Sequence, residues 1–319
     1  MNRFAAALAL ALALAATTAG AQDFPTKSIT FVVPFAAGSA TDTLARAVGQ
    51  AVTNETKQAV VIDNKPGASG MIAAAAVAKA PADGYTVLIT TNTTHAANEH
   101  LYKKLTYDPV KDFAPLSGLG KGGQVMVVKP DLPVKTVQEF IAHAKKNPGK
   151  INFGSGSSSS RIAGELLQQM AGIELLHVPY KSNPLAVADM LGGTIDMMIT
   201  DTTTGLPQVQ SGKLRALGYS GDKRSRLAPD LPTISEAGVK GYEMSYWFAA
   251  YAPAGTPPAV VKRLNALLVA ATKSGPVTAF YEKTGVDAFT TTPEELATFQ
   301  AAETKKWGEI IKKANIQPE

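Results

Sequence analysis

Phe153-Gly154-Ser155-Gly156-Ser157-Ser158-Ser159-Ser160, with Arg161 directly after it, is the stretch on which the reading of this chain turns. Ile151–Phe153 reads as the end of a strand, and apolar residues at helical spacing follow the serines. A glycine-serine turn between strand and helix aims backbone N–H groups, hydroxyls and the positive helix end at one point. Such an arrangement captures carboxylates or phosphates. A second turn of this kind is Pro34-Phe35-Ala36-Ala37-Gly38-Ser39-Ala40-Thr41-Asp42, between Ile29–Val33 and another helical pattern. Either loop alone also fits an ordinary strand-to-helix turn. Two of them, far apart in sequence, point to a binding cleft between two lobes.

The first residues address the chain for export. Arg3 gives a positive start, Phe4 to Ala16 an apolar stretch, and Ala19-Gly20-Ala21 a small-residue cleavage site before Gln22. This reads as a signal peptide over residues 1–21 and places the mature protein in a bacterial periplasm. The apolar stretch is short for a bilayer span. With no cysteine in 319 residues, a disulfide framework, a thiolate metal site and a cysteine nucleophile are excluded. The formal charge of +5, or +4 without Arg3, is spread along the chain rather than clustered as a nucleic-acid face requires. The roughly 300 residues after Ala21 can bury a sizeable core and normally divide into two domains.

Short β-branched runs alternate with helical patterns, which predicts α/β architecture with mostly parallel sheets. The expected strands are Ile29–Val33, Val60–Ile62, Thr86–Ile89, Val125–Val128, Ile151–Phe153, Leu175–Val178, Ile195–Ile199, Leu214–Tyr219 and Met244–Ala252. Thr136 to Glu139 and Thr292 to Glu295 read as capping boxes opening helices, and Asn183-Pro184 opens another that Gly192-Gly193 closes. Glycine-rich Gly118–Gly123 reads as a linker, because Val125–Val128 and Pro130 follow it where a dinucleotide fingerprint would need a helix. With a second crossing near Gly238–Gly241, lobe one is expected to be 22–123 plus 243–319 and lobe two 124–242. Paired crossings predict a hinge.

Catalytic signatures are sparse. His95, Glu99 and His100 have the wrong spacing for a helical zinc motif, and no metal site is expected. His177, before Pro179-Tyr180-Lys181, either bonds locally or lines the cleft. No serine sits in a nucleophile elbow. An exported hydrolase or lyase using the serine-rich loop stays open as a different class of function, as does a ligand-sensing subunit.

The chain resembles the Bug-type solute-binding proteins of tripartite tricarboxylate transporters over nearly its whole mature length. The resemblance rests on motifs in order: Val33-Pro34-Phe35-Ala36 with Gly38 and Asp42, Asp63-Asn64-Lys65-Pro66-Gly67-Ala68, Ala82-Asp83-Gly84-Tyr85-Thr86, and Tyr107-Asp108-Pro109 with Lys111-Asp112-Phe113. Then come Phe153-Gly154-Ser155, Ala163-Gly164-Glu165-Leu166, His177-Val178-Pro179-Tyr180-Lys181, Leu191-Gly192-Gly193 with Asp196, and Ala252-Pro253-Ala254-Gly255-Thr256-Pro257. The resemblance implies a two-lobed Venus-flytrap fold that closes on a small carboxylate, held by backbone amides and hydroxyls of the loops at Phe35 to Thr41 and Ser155 to Ser160. It also implies delivery to a membrane transporter, no cofactor, no catalysis, and a monomer. Aliphatic di- and tricarboxylates, amino acids and aromatic diacids such as terephthalate are ligands within that family.

The expected site is therefore Phe35, Ala36, Ala37, Gly38, Ser39, Ala40, Thr41 and Asp42 in the first loop and Ser155, Gly156, Ser157, Ser158, Ser159 and Arg161 in the second. Thr91 and Asp201, each just past a predicted strand, and the aromatic residues Tyr180 and Trp247 complete it. Phe35, Tyr180, Tyr246 and Trp247 all fall near strand ends, where they either line the cleft or pack between lobes. Arg161 departs from the family pattern. It reads either as a bidentate partner for a ligand carboxylate or as a surface arginine paired with Glu165 at i+4.

Overall fold

The computed structural model describes residues 24–319, so the signal-peptide expectation lies outside the described residues. Apolar β1 (Ile29–Val33) runs parallel to β2 (Val60–Asn64) and β3 (Thr86–Thr91), with helices α1 (Ala40–Thr56) and α2 (Met71–Ala78) between them. A π-turn at Thr93–Ala97 and the short α3 (Asn98–Leu101) lead to β4 (Phe113–Val128). Beyond it come α4 (Val137–Lys146), β5 (Asn152–Ser155), α5 (Ser158–Ala171), β6 (Leu176–Pro179), α6 (Asn183–Leu191), β7 (Met197–Asp201), α7 (Thr202–Gln210) and β8 (Arg215–Tyr219). β9 (Ser245–Pro253) and helices α8 (Pro258–Thr272), α9 (Gly275–Thr284) and α10 (Pro293–Lys313) complete the chain.

Every strand read from the sequence has its counterpart here, but the reading of one glycine-rich segment is overturned. Gly118–Gly123 is not a linker; it lies inside β4, a strand of 16 residues. A Cβ on Gly118 would stand 2.6 Å from the Phe289 ring, and one on Gly123 2.5 Å from the Tyr219 ring. The glycines are there because aromatic side chains pack flat on the strand.

β4 is common to both sheets. Through Gly123 it pairs antiparallel with β9, which in turn pairs antiparallel with β3. From Gln124 onward it pairs antiparallel with β7 and β8. Parallel pairing is confined to β1–β2, β1–β3, β5–β6 and β5–β7, so the sheets are mixed rather than mostly parallel as expected, because β4 and β9 run antiparallel to their neighbours. Buried Ser220 clasps the two crossings: its Oγ accepts from Gln124 N at 2.7 Å and donates to Met244 O at 2.5 Å. One core, with Phe31, Leu44 and Phe248, lies beside the first sheet, and a smaller one, with Val125, Met198 and Ile195, beside the second. A third joins the two sides through Phe140, Phe153, Trp247 and Trp307.

The helix signals are local and mostly explicit. Thr292 and Glu295 form a reciprocal capping box at the start of α10. At α4 only half of the expected box forms: Thr136 Oγ1 accepts from Glu139 N, while the Glu139 carboxylate accepts from Lys135 N at 2.6 Å instead of from Thr136 N. α10 packs on β4, the π-turn and α5, and so spans both sides of the crossing.

Candidate ligand-binding site

Both signature loops open helices as their composition predicts. Ser39 caps α1, its Oγ accepting from Asp42 N at 3.2 Å, and Ser157 caps α5, accepting from Ser160 N at 3.2 Å. Gly38 has φ of +81°, a conformation that strains any residue with a Cβ. Gly156 is required for a different reason. A Cβ there would stand 1.9 Å from the backbone carbon of Ser182, because the second loop is pressed against the start of α6. That approach lets Gly156 N donate to Asn183 Oδ1 at 2.9 Å. Asn183 Nδ2 donates on to Asp201 Oδ2 at 2.7 Å, and Asp201 Oδ1 accepts from Thr204 N at 2.9 Å, capping α7.

These loops enclose a chamber of about 40 Å³. Phe35, Ser39, Ala40, Thr41 and Thr91 line it from one side, and Gly156, Ser157, Ser159, Asn183 and Asp201 from the other. Gln124 of β4 and Tyr246 and Phe248 of β9 close it. The starts of three helices (α1, α5 and α6) and the cap residue of α7, Asp201, thus converge on one small volume, and no lysine, arginine or histidine lines it. Ser39 and Ser157 accept from backbone N–H groups and Ser159 Oγ accepts from Asn92 Nδ2 at 2.8 Å, which leaves the hydroxyl protons free to donate.

A larger cavity of about 400 Å³ lies outside this chamber and shares Phe35, Gly156 and Ser157 with it as a partition. Ser155, Ser158, Arg161 and Tyr180 fall here, together with His177 and Lys181. Each of the four is engaged: Ser155 Oγ with His177 Nε2 at 2.7 Å, Ser158 Oγ donating to Asn98 Oδ1 at 3.0 Å, and Tyr180 Oη donating to Asp189 Oδ2 at 2.8 Å. Arg161 Nη1 pairs with the Glu319 carboxylate, not with Glu165 as the i+4 reading expected. Glu319 is itself anchored, its N donating to Leu101 O and its carbonyl accepting from Lys103 N, both at 2.9 Å. Burial, assisted by the positive charge of Arg161, lowers the His177 pKa to about 4.

The remaining expected residues lie elsewhere. Ala36, Ala37 and Gly38 face outward on the loop. Asp42 turns onto Arg46, which donates from Nε at 3.0 Å and Nη2 at 2.9 Å, with Asn64 Nδ2 and Gly38 N each at 2.9 Å. Burial acts to raise its pKa, but these donors prevail and hold the carboxyl below its ordinary value. Trp247 points away from the chamber, because side chains alternate along β9 and its neighbours Tyr246 and Phe248 take the inward face. Its Nε1 donates to Glu303 at 3.0 Å. His95 and His100 point apart. His95 stacks on Tyr251 at 3.9 Å, burial lowering its pKa to about 3, whereas His100 Nε2 contacts Thr304 O at 2.9 Å. Sequence reasoning missed Gln124, Asn183 and Phe248. No short motif marks them: Gln124 reaches the site through the pairing of β4 with β7, and Asn183 through its contact with the second loop.

Residues 44–316 match the tripartite tricarboxylate transporter family receptor (TctC) family. The chain belongs to this family. It is a solute-binding protein of the Bug type, 32% identical over 322 residues to BugT of Bordetella pertussis, covering 99% of each chain. Among solved structures, an R. palustris protein with adipate superimposes with a TM-score of 0.90 at 36% identity, covering 93% of this chain and 100% of that one. MatC from Rhodopseudomonas palustris, with bound malate, gives a TM-score of 0.86 at 29% identity over 90% of this chain and 100% of its own. These likenesses establish the two-lobed periplasmic-binding-protein fold. No helix among the described residues is long and apolar enough to cross a membrane.

Proposed function

We propose that this protein captures a small organic carboxylate in the inner chamber, in the periplasm, and presents it to the membrane components of a tripartite tricarboxylate transporter without chemically altering it. The observation that carries the reading is the convergence of the α1, α5 and α6 starts and three serine hydroxyls on a chamber that no cationic side chain lines. Backbone N–H groups and helix ends stabilise a carboxylate without a buried counter-charge whose desolvation would have to be offset. Each helix end contributes about 0.3–1 kcal/mol, and each hydroxyl bond to the anion about 1.5–3 kcal/mol. Adipate and malate in two similar proteins support the ligand class, and the receptor family supports the transporter partnership.

A chamber of about 40 Å³ holds only a few water-sized positions at 10–15 Å³ each, which favours a compact aliphatic acid. A flat aromatic diacid such as terephthalate would need Phe35 displaced so that chamber and outer cavity join. Calorimetric titration tests the reading. Small free acids should bind, their methyl esters should bind far more weakly, and neither should be consumed. Esters binding as tightly as acids would refute it.

A further inference from the structure

The chamber is not uniform. Beside the hydroxyl donors Ser39, Ser157 and Ser159 at the starts of α1 and α5, its wall carries acceptors that a simple carboxylate does not use. Asp201, 7% exposed, has Asn183 Nδ2 and Thr204 N as its hydrogen-bond donors and forms no ion pair among the described residues. Gln124, 1% exposed, has its Oε1 without a protein partner among the described residues. Such a buried, unpaired acceptor is destabilising, and a ligand donor would recover the lost hydrogen bond. Asp42, by contrast, is fully tied off by Arg46, Asn64 and Gly38. Burial, with the negative charge of Asp201 as the next cause, pushes the Tyr246 phenol well above its ordinary range. A carboxylate entering alone would set a second negative charge beside Asp201 in a very small volume.

From this we infer that the ligand is a carboxylic acid carrying a hydrogen-bond donor close to the carboxylate, an ammonium or a hydroxyl, received by Asp201 and Gln124 of the chamber wall. The inference rests on the carboxylate reading above and adds to it the chemistry of the second group. An ammonium satisfies both features at once: it neutralises Asp201 and donates to Gln124 Oε1. A hydroxyl satisfies the hydrogen bonds alone, and a hydrogen atom neither. The expected order of affinity is therefore amino, then hydroxy, then unsubstituted acid.

Two matched series test this, propionate, lactate and alanine, and succinate, malate and aspartate, titrated against the full mature protein. In at least one series the donor-bearing acid should bind roughly tenfold or more tighter than the unsubstituted one. Asp201→Asn keeps a side chain suited to capping α7 while removing the charge. It should reduce the amino-over-unsubstituted ratio at least tenfold. Gln124→Met removes the acceptor alone and should reduce the hydroxy-over-unsubstituted ratio in a protein whose melting confirms that it folds. If unsubstituted acids match their donor-bearing analogues, or neither variant moves the ratios, the inference is overturned while the carboxylate reading stands. If esters match acids, or no acid of either series binds, both are overturned.

Discussion

The inner chamber and the outer cavity share Phe35, Gly156 and Ser157 as a common wall, yet they treat charge in opposite ways. The chamber, about 40 Å³, is walled by helix starts, hydroxyls and amides. The outer cavity, about 400 Å³, gathers Arg161, Lys181 and His177, with Glu319 placed against Arg161. A search for complementary charge would put an acid in the outer cavity. There, however, an arginine and a carboxylate already satisfy each other in reach of water, where an ion pair contributes about 0–1 kcal/mol. In the chamber the partial charges of backbone and hydroxyl dipoles are held in place by the fold and add no cationic counter-charge that would itself have to be desolvated. On the proposed reading, selective capture follows from preorganised neutral donors more than from formal charge.

The largest effect should come from the shared wall. Gly156→Ala forces a methyl group onto the Ser182 backbone, so the second loop must move. Chemical denaturation should show a loss of more than about 3 kcal/mol, at the upper end for overpacking, together with loss of ligand binding. A variant with wild-type stability would mean that the loop is not pressed against α6.

Acid should separate the two regions next. His95 and His177 are neutral when folded, with pKa values lowered to about 3 and about 4. The unfolded chain takes up their protons near pH 6.5, so stability is complete above that value and is lost as pH falls through the window from about 6.5 toward 4 and 3. The slope is roughly 1.4 kcal/mol per pH unit for enclosed His95 and smaller for partly exposed His177. Affinity in the chamber, which no histidine lines, should stay nearly constant between pH 8 and pH 5.5 by isothermal titration (roughly the range in which small carboxylic acids stay ionised). Parallel decay of affinity and stability would place a histidine in the site.

Ser157→Ala removes both a helix cap and a ligand donor. It should lower stability by about 1 kcal/mol and weaken a bound acid by about 1.5–3 kcal/mol. Two outer-cavity variants should do less. Arg161→Ala, which removes an ion pair with a largely exposed Glu319, should change stability and affinity by less than about 1 kcal/mol. Ser155→Ala frees His177 from its 2.7 Å partner and should cost about 1 kcal/mol of stability with affinity unchanged. A tenfold loss of affinity in either would extend the binding site across the partition.

Most of the fold was legible because its signals are local. Ser39, Ser157 and Thr292 mark helix starts by their own side chains, and β1 and β7 by apolar runs. The features that were not legible depend on distant partners. Whether Gly118–Gly123 is linker or strand is decided by Phe289 and Tyr219, whose rings occupy the space a Cβ would need. Arg161 looked for a partner one helical turn away, and found Glu319, 158 positions on. β9 reads as continuously apolar, so it carries no phase that tells Tyr246 and Phe248, which face the chamber, from Trp247, which does not. Gln124 and Asn183 enter the site through strand pairing and loop contact that no short motif encodes.

The central claim, that neutral donors of the inner chamber hold the acid, is tested most directly by a crystal structure of the protein with the tightest acid from a titration panel. A ligand carboxylate should lie within about 3.2 Å of the Ser39, Ser157 or Ser159 hydroxyls and of backbone N–H groups at the starts of α1 and α5. A carboxylate seated instead on Arg161 or Lys181 in the outer cavity, with the chamber side chains where they stand now, would contradict the account.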